Sequence, residues 1–95
     1  MLKTVRVTIQ IGNSDDKLPQ TRWLAYVNAM RSQIVERAET HFAGGSNNEA
    51  RWQNFCWVVA CPVDSLESLK VAVECTRRNF GQDSAAFTTG ETIFV

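Results

Sequence analysis

The polar chemistry of this 95-residue sequence is concentrated in three short stretches. Asn13, Ser14, Asp15, Asp16 and Lys17 make up the first, Ser46, Asn47, Asn48 and Arg51 the second, and Arg77, Arg78, Asn79, Gln82, Asp83 and Ser84 the third. Brought together, such groups suit a ligand that carries phosphate and hydroxyl groups. Guanidinium and ammonium groups match phosphate oxygens, while carboxylates accept hydrogen bonds from ribose hydroxyls or hold a divalent ion. Trp52, followed by Gln53 and Asn54, adds a stacking plane with amides beside it. Ordinary turn chemistry is the competing explanation, because Asn, Ser, Asp and Gly are turn formers and arginines at a helix end answer its dipole.

The other chemistries are thinly represented. His41 is the only histidine, and no Ser-His-Asp or Cys-His set is visible, so no catalytic residue and no cofactor are expected. A metal-assisted enzyme built on Asp15, Asp16 and Asp83 is the remaining catalytic alternative. The cysteines Cys56, Cys61 and Cys75 are odd in number and contain no CxxC pair, which disfavours zinc. Cys56 and Cys61 are five apart in one predicted strand, so they point to opposite faces and cannot bridge. All three are expected to be reduced thiols, with Cys56 and Cys61 packed beside the apolar run Trp57-Val58-Val59-Ala60.

These stretches must be positioned by regular elements. Residues 4 to 11 alternate strictly, Val5, Val7, Ile9 and Ile11 against Thr4, Arg6, Thr8 and Gln10, which predicts a strand with one buried face. A turn cluster at Gly12 to Asp16 leads into a helix with Pro19 in its first turn. Trp23, Val27, Met30, Ile34 and Ala38 lay one apolar stripe along that helix, which is expected to reach about Ala38. Thr40 to Ala43 read as a short strand ended by Gly44 and Gly45, glycines suited to the positive φ angles of a hairpin loop. A longer strand follows from Arg51 to Cys61. Asp64-Ser65-Leu66-Glu67 has the form of a helix-capping sequence, with Asp64 as the cap. The second helix carries Leu66, Leu69, Val73, Thr76 and Phe80 on one stripe and ends at Gly81, a left-handed residue. Ser84 to Val95 closes the chain as a strand, kinked at Gly90.

Strand, helix, strand, strand, helix, strand is the order of a ferredoxin-like α+β sandwich, a four-stranded antiparallel sheet with both helices on one face, in a single domain spanning residues 1–95. In that topology the three polar stretches share one end of the fold, together with the N-terminus of the first helix, whose free N–H groups favour an anion. The expected ligand-binding set is therefore Asn13, Ser14, Asp15, Asp16, Lys17, Asn47, Arg51, Trp52, Arg77, Arg78, Gln82, Asp83 and Ser84.

Charge and hydropathy narrow the partners. Ten basic and ten acidic residues give a formal net charge of zero, and no basic stripe or aromatic strand motif is present, which argues against nucleic acid. The first residues alternate apolar with polar, so neither a signal peptide nor a membrane span is expected and the chain is placed in the cytoplasm. The predicted third strand is apolar on both sides, Phe55, Trp57 and Val59 against Cys56, Val58 and Ala60, although two helices cover only one. A sheet-on-sheet homodimer would bury the other side, the competing possibility being that Ile93-Phe94-Val95 or a loop folds over it.

The stretches from Gly12 to Leu18, from Trp52 to Trp57 and from Gln82 to Ser84, with the closing Thr89-Gly90-Glu91-Thr92, resemble small bacterial and phage proteins of no established activity. The resemblance spans most of the chain, assigns no catalytic residue and implies that the polar stretches act as a unit. The leading expectation is a binding module that holds a small polar, phosphate-bearing or nucleotide-like ligand. The alternative is an accessory or inhibitor protein that covers the surface of a larger protein partner.

Overall fold

The alternation at the start of the chain becomes β1 (Thr4–Gly12), with Val7, Ile9 and Ile11 buried. A computed structural model describes residues 3–13, 17–47 and 53–95. There β1 is followed by α1 (Gln20–Val35), β2 (Glu39–Gly45), β3 (Asn54–Pro62), a 3-10 turn (Val63–Ser65), α2 (Leu66–Asn79) and β4 (Ala86–Gly90). The strands form one antiparallel sheet in the order β2-β3-β1-β4, so the chain is a ferredoxin-like α+β sandwich. The helices lie on one face of it. Val7, Ile9 and Ile11 of β1 and Trp57, Val59 and Cys61 of β3 meet Trp23, Tyr26, Val27, Met30 and Ile34 of α1 and Leu69 and Val73 of α2 in a single core. No helix among the described residues is long and apolar enough to cross a membrane.

Several boundaries differ from expectation for identifiable reasons. α1 ends at Val35 rather than Ala38, because the Ile34 carbonyl accepts from both Arg37 N–H and Ala38 N–H and turns the chain toward β2. Gly44 and Gly45 stand in the β2 ladder opposite Cys56 and Phe55 and not in the loop, and Gly81 is the glycine with a positive φ, at 67°. At Gly45 the requirement is close approach: a Cβ there would run into the Asn54 carbonyl and Phe55. Gly81 does what was expected of it. Gly81 N–H donates to Arg78 O at 3.0 Å and Gln82 N–H to Arg77 O at 2.9 Å, the paired bonds of a Schellman ending. Asp64 does not cap α2. The 3-10 turn precedes the helix, and Ser65 at the cap position makes no side-chain cap bond. β4 stops at Gly90 because its ladder uses Arg6 to Gln10 of β1, and Ile93 and Phe94 beyond it are 81% and 87% exposed.

β3 is apolar on both sides, and size sorts them. Trp57, Val59 and Cys61 face the helices and are fully buried, whereas Cys56, Val58 and Ala60 face away and are half-buried. Tyr26 lies fully buried against Trp23 and Phe80, yet its hydroxyl, like Trp57 Nε1, has no hydrogen-bond partner among the described residues.

Two consequences are measurable. Trp57→Ala should cost about 3–5 kcal/mol of stability in urea unfolding, the range for deleting a large buried aromatic side chain. Burial pushes the Tyr26 hydroxyl up to about 12 from 10.0, against a smaller opposite pull from the Arg77 guanidinium. The folded chain thus holds this proton more tightly than the unfolded one, so its stabilisation is complete below about pH 10 and is lost as pH rises toward about 12. Tyr26 is the only tyrosine, so phenolate absorbance should titrate near pH 12 in the folded protein. A midpoint near 10 with helical circular dichroism intact would place the hydroxyl in water.

Candidate functional site

Antiparallel pairing sends the β1–α1 connection, the β2–β3 hairpin and the α2–β4 turn to the same end of the sandwich, as the sequence order requires. Of the expected site residues, Ser14, Asp15, Asp16, Arg51 and Trp52 lie outside the described residues, as does Asn48. Asn13, Lys17, Asn47, Arg77, Arg78, Gln82, Asp83 and Ser84 are described, and the Lys17–Asp83 pair joins two of the loops.

The base of this end is made of amides. Asn13, Gln53 and Gln82 are buried, at 3%, 7% and 7% exposure, and belong to three different segments. Asn13 closes the first loop on itself: its Nδ2 donates to Leu18 O at 2.8 Å and its Oδ1 accepts from Leu18 N–H at 3.0 Å. Its own N–H donates to Gln53 O at 2.8 Å, continuing the β1–β3 ladder. Gln53 Nε2 then reaches the start of α1, donating to Gln20 Oε1 at 2.8 Å. Gln82 Nε2 donates to Phe80 O at 3.2 Å, and Arg77 Nη1 donates to Gln82 O at 3.1 Å. Burying a polar group costs free energy unless its bonds are met, and an amide offers donors and an acceptor without a net charge. At the hairpin, Asn54 N–H donates to Ser46 Oγ at 2.9 Å.

The charge at this end is exposed. Lys17 Nζ and Asp83 Oδ2 pair at 3.1 Å, joining the first loop to the third, with the Asp83 side chain 86% exposed. The two arginines share a carboxylate of their own helix. Arg78 pairs with Glu74 at 2.6 Å, one turn back on α2, and Arg77 lies 4.0 Å from the same carboxylate. Both pairs lie along the helix, at the i,i+3 and i,i+4 spacings that bring side chains together. Asn47 and Ser84 are exposed. Among the described residues no group of three His, Cys, Asp or Glu side chains gathers.

Sequence reasoning singled out neither Gln20 nor the burial of Gln53. A glutamine in the first turn of a helix carries no signal that it will be met from a neighbouring strand. A second polar contact also escaped notice. Arg6 Nη1 donates to His41 Nδ1 at 2.9 Å across the uncovered side of the sheet, beside a shallow cleft of about 690 Å³ that both residues line with Lys3, Ala60 and Thr89. Comparison with protein families, curated proteins and solved structures finds no match to this chain, and its functional reading rests on geometry.

The division between base and charge predicts unequal costs of mutation. Asn13→Ala leaves Leu18 N–H and C=O without their partner in a buried place and should cost about 1–3 kcal/mol. Lys17→Ala breaks an exposed pair and should cost less than about 1 kcal/mol. Urea unfolding of the two variants checks the order, and equal costs would mean that Asn13 is not the anchor of the loop.

Proposed function

We propose that the protein is a non-catalytic binding module that holds a small polar ligand at the end where its three polar loops meet. The observation that supports this reading is that Asn13, Gln53 and Gln82 at this end are each buried and hydrogen-bonded, while a Lys17–Asp83 pair ties two of the loops together. Buried amides together with an exposed carboxylate and an ammonium group suit a ligand with hydroxyl groups and an anionic group. Hydroxyls donate to Asp83, and an anion such as phosphate is met by Lys17 and by the N-terminus of α1. Arg77 and Arg78 contribute less to an anion, since Glu74 shares both. Three unpaired thiols, Cys56, Cys61 and Cys75, favour a reducing compartment such as the cytoplasm.

A second reading, an accessory protein that covers a larger partner, draws support from the sheet face that no helix covers, where Phe42 is 58% exposed. A metal-assisted reaction would need Asp15 and Asp16, both outside the described residues, alongside Asp83.

Thermal unfolding in the presence of AMP, ribose 5-phosphate or inorganic phosphate tests the ligand reading. A ligand at a hundred times its Kd adds about 2.7 kcal/mol, which for a domain of this size raises Tm by roughly 10 °C or more. AMP or ribose 5-phosphate should produce such a shift, and Asp83→Asn should abolish it while leaving the unliganded Tm nearly unchanged. A response to inorganic phosphate alone would reduce the site to an anion-binding loop. No response to any of the three would overturn the reading.

A further inference from the structure

We infer that the uncovered face of the sheet is the contact surface between two copies of this chain. Directly paired residues share a side of the sheet, so the register places Phe42, Val58, Thr8 and Thr88 in one row across that face. Cys56, Gln10 and Ala86 make the next row, with Gly44 at its end, and Glu39, Ala60, Arg6 and Gly90 a third. The face is thereby split. Its β2–β3 half has an apolar centre, formed by Phe42, Cys56, Val58 and Ala60, with Asn54 and Glu39 at its two ends, and its β1–β4 half is polar.

Among the described residues no segment covers the apolar centre. Phe42 is 58% exposed, and the segment best suited to fold over it, Ile93 and Phe94, is instead 81% and 87% exposed. The surface is also flat enough for another sheet. Gly44 has no side chain, and the Phe42 ring lies where a Cβ of Gly44 would be, 2.9 Å from that position. Four strands at about 4.8 Å spacing and seven residues at about 3.3 Å give a face of roughly 450 Å² in flat projection. Two such faces approach the ~1,000 Å² expected of a specific interface before side-chain relief is counted.

A second copy fits this surface better than a charged partner does. A two-fold axis that sets the β2–β3 half of one copy against the β2–β3 half of the other puts small aliphatic groups and Phe42 at the centre and Arg6 and Gln10 at the margin, the usual arrangement of an apolar core within a polar rim. With a formal net charge of zero, two copies approach without net repulsion. The loop end that carries Lys17 and Asp83 stays outside the contact, so self-association and ligand binding are separate properties.

The three cysteines provide the test, because each samples a different surface. Cys56 is half-buried on the uncovered face, Cys75 is exposed on α2, and Cys61 is in the core. Alkylation by N-ethylmaleimide, followed by peptide mass spectrometry, should show Cys56 slowing roughly tenfold relative to Cys75 between about 1 and about 200 µM protein, as the dimer forms by mass action. Sedimentation over the same range should show monomer passing to dimer. Val58→Lys, at a half-exposed position, should keep the circular dichroism of the wild type, sediment as a monomer and lose the protection of Cys56. A wild-type monomer at about 200 µM would overturn the inference. So would a dimer that leaves Cys56 unprotected and survives Val58→Lys, since its interface would lie elsewhere.

Discussion

Two helices cover one face of the sheet, and each strand therefore has to present chemically different sides at every second residue. β1 meets this demand with composition, alternating Val and Ile with Thr, Arg and Gln. β3 cannot, because it is apolar throughout, and it meets the demand with size: Trp57, Val59 and Cys61 fill the space beneath the helices while Cys56, Val58 and Ala60 remain outside. A one-residue slip of β3 against β1 would move Trp57 out of the core and leave its place to smaller groups. Register, core and uncovered face are thus a single choice, made by where the largest side chain can be accommodated.

The loop end depends on that choice for its alignment. Asn13 N–H donates to Gln53 O at the last step of the β1–β3 ladder, so the two buried amides of neighbouring strands arrive side by side only in this register. Neutral amides suit the position because they bond the backbone of Leu18 and Phe80 and the Gln20 side chain without the desolvation cost of a buried ion. Charge is kept to the outside, where Lys17 and Asp83 stay in contact with water.

Much of this was legible in the residues, and the exceptions have physical reasons. The strict alternation of β1 and the stripe of α2 specify their own environments, and Gly81 was recognisable because a helix ending asks for a left-handed residue there. Gly44 and Gly45 were misleading. Their freedom of φ suggested a loop, whereas their lack of a side chain is what the ladder beside Phe42 and Asn54 uses. The residues after Gly90 are strand formers by type, but β4 ends where its pairing with β1 ends, at the Arg6–Gly90 step. Tyr26 lies outside the stripe of Trp23, Val27, Met30, Ile34 and Ala38, and the structure buries it whole. As for the site, topology was enough to bring the polar loops to one end. It was not enough to show that Gln53 would meet Gln20, or that Glu74 would draw Arg77 and Arg78 back along their helix, since those pairings depend on distances that no spacing rule encodes.

The irregular pairing of β2 has a different kind of consequence. β2 and β4 are the two edges of the sheet, and an edge strand offers unpaired N–H and C=O groups to any passing chain. Between Thr40 and Phe42 the ladder of β2 shifts register, leaving His41 as an extra residue and interrupting the regular row of edge groups. β4 blunts its own edge by brevity, with five residues. A protein with an apolar, open sheet face runs the risk of growing sideways into fibrils, and here both lateral directions are obstructed. What association the face supports is thereby steered into stacking, which closes after one partner, and away from templated growth, which does not.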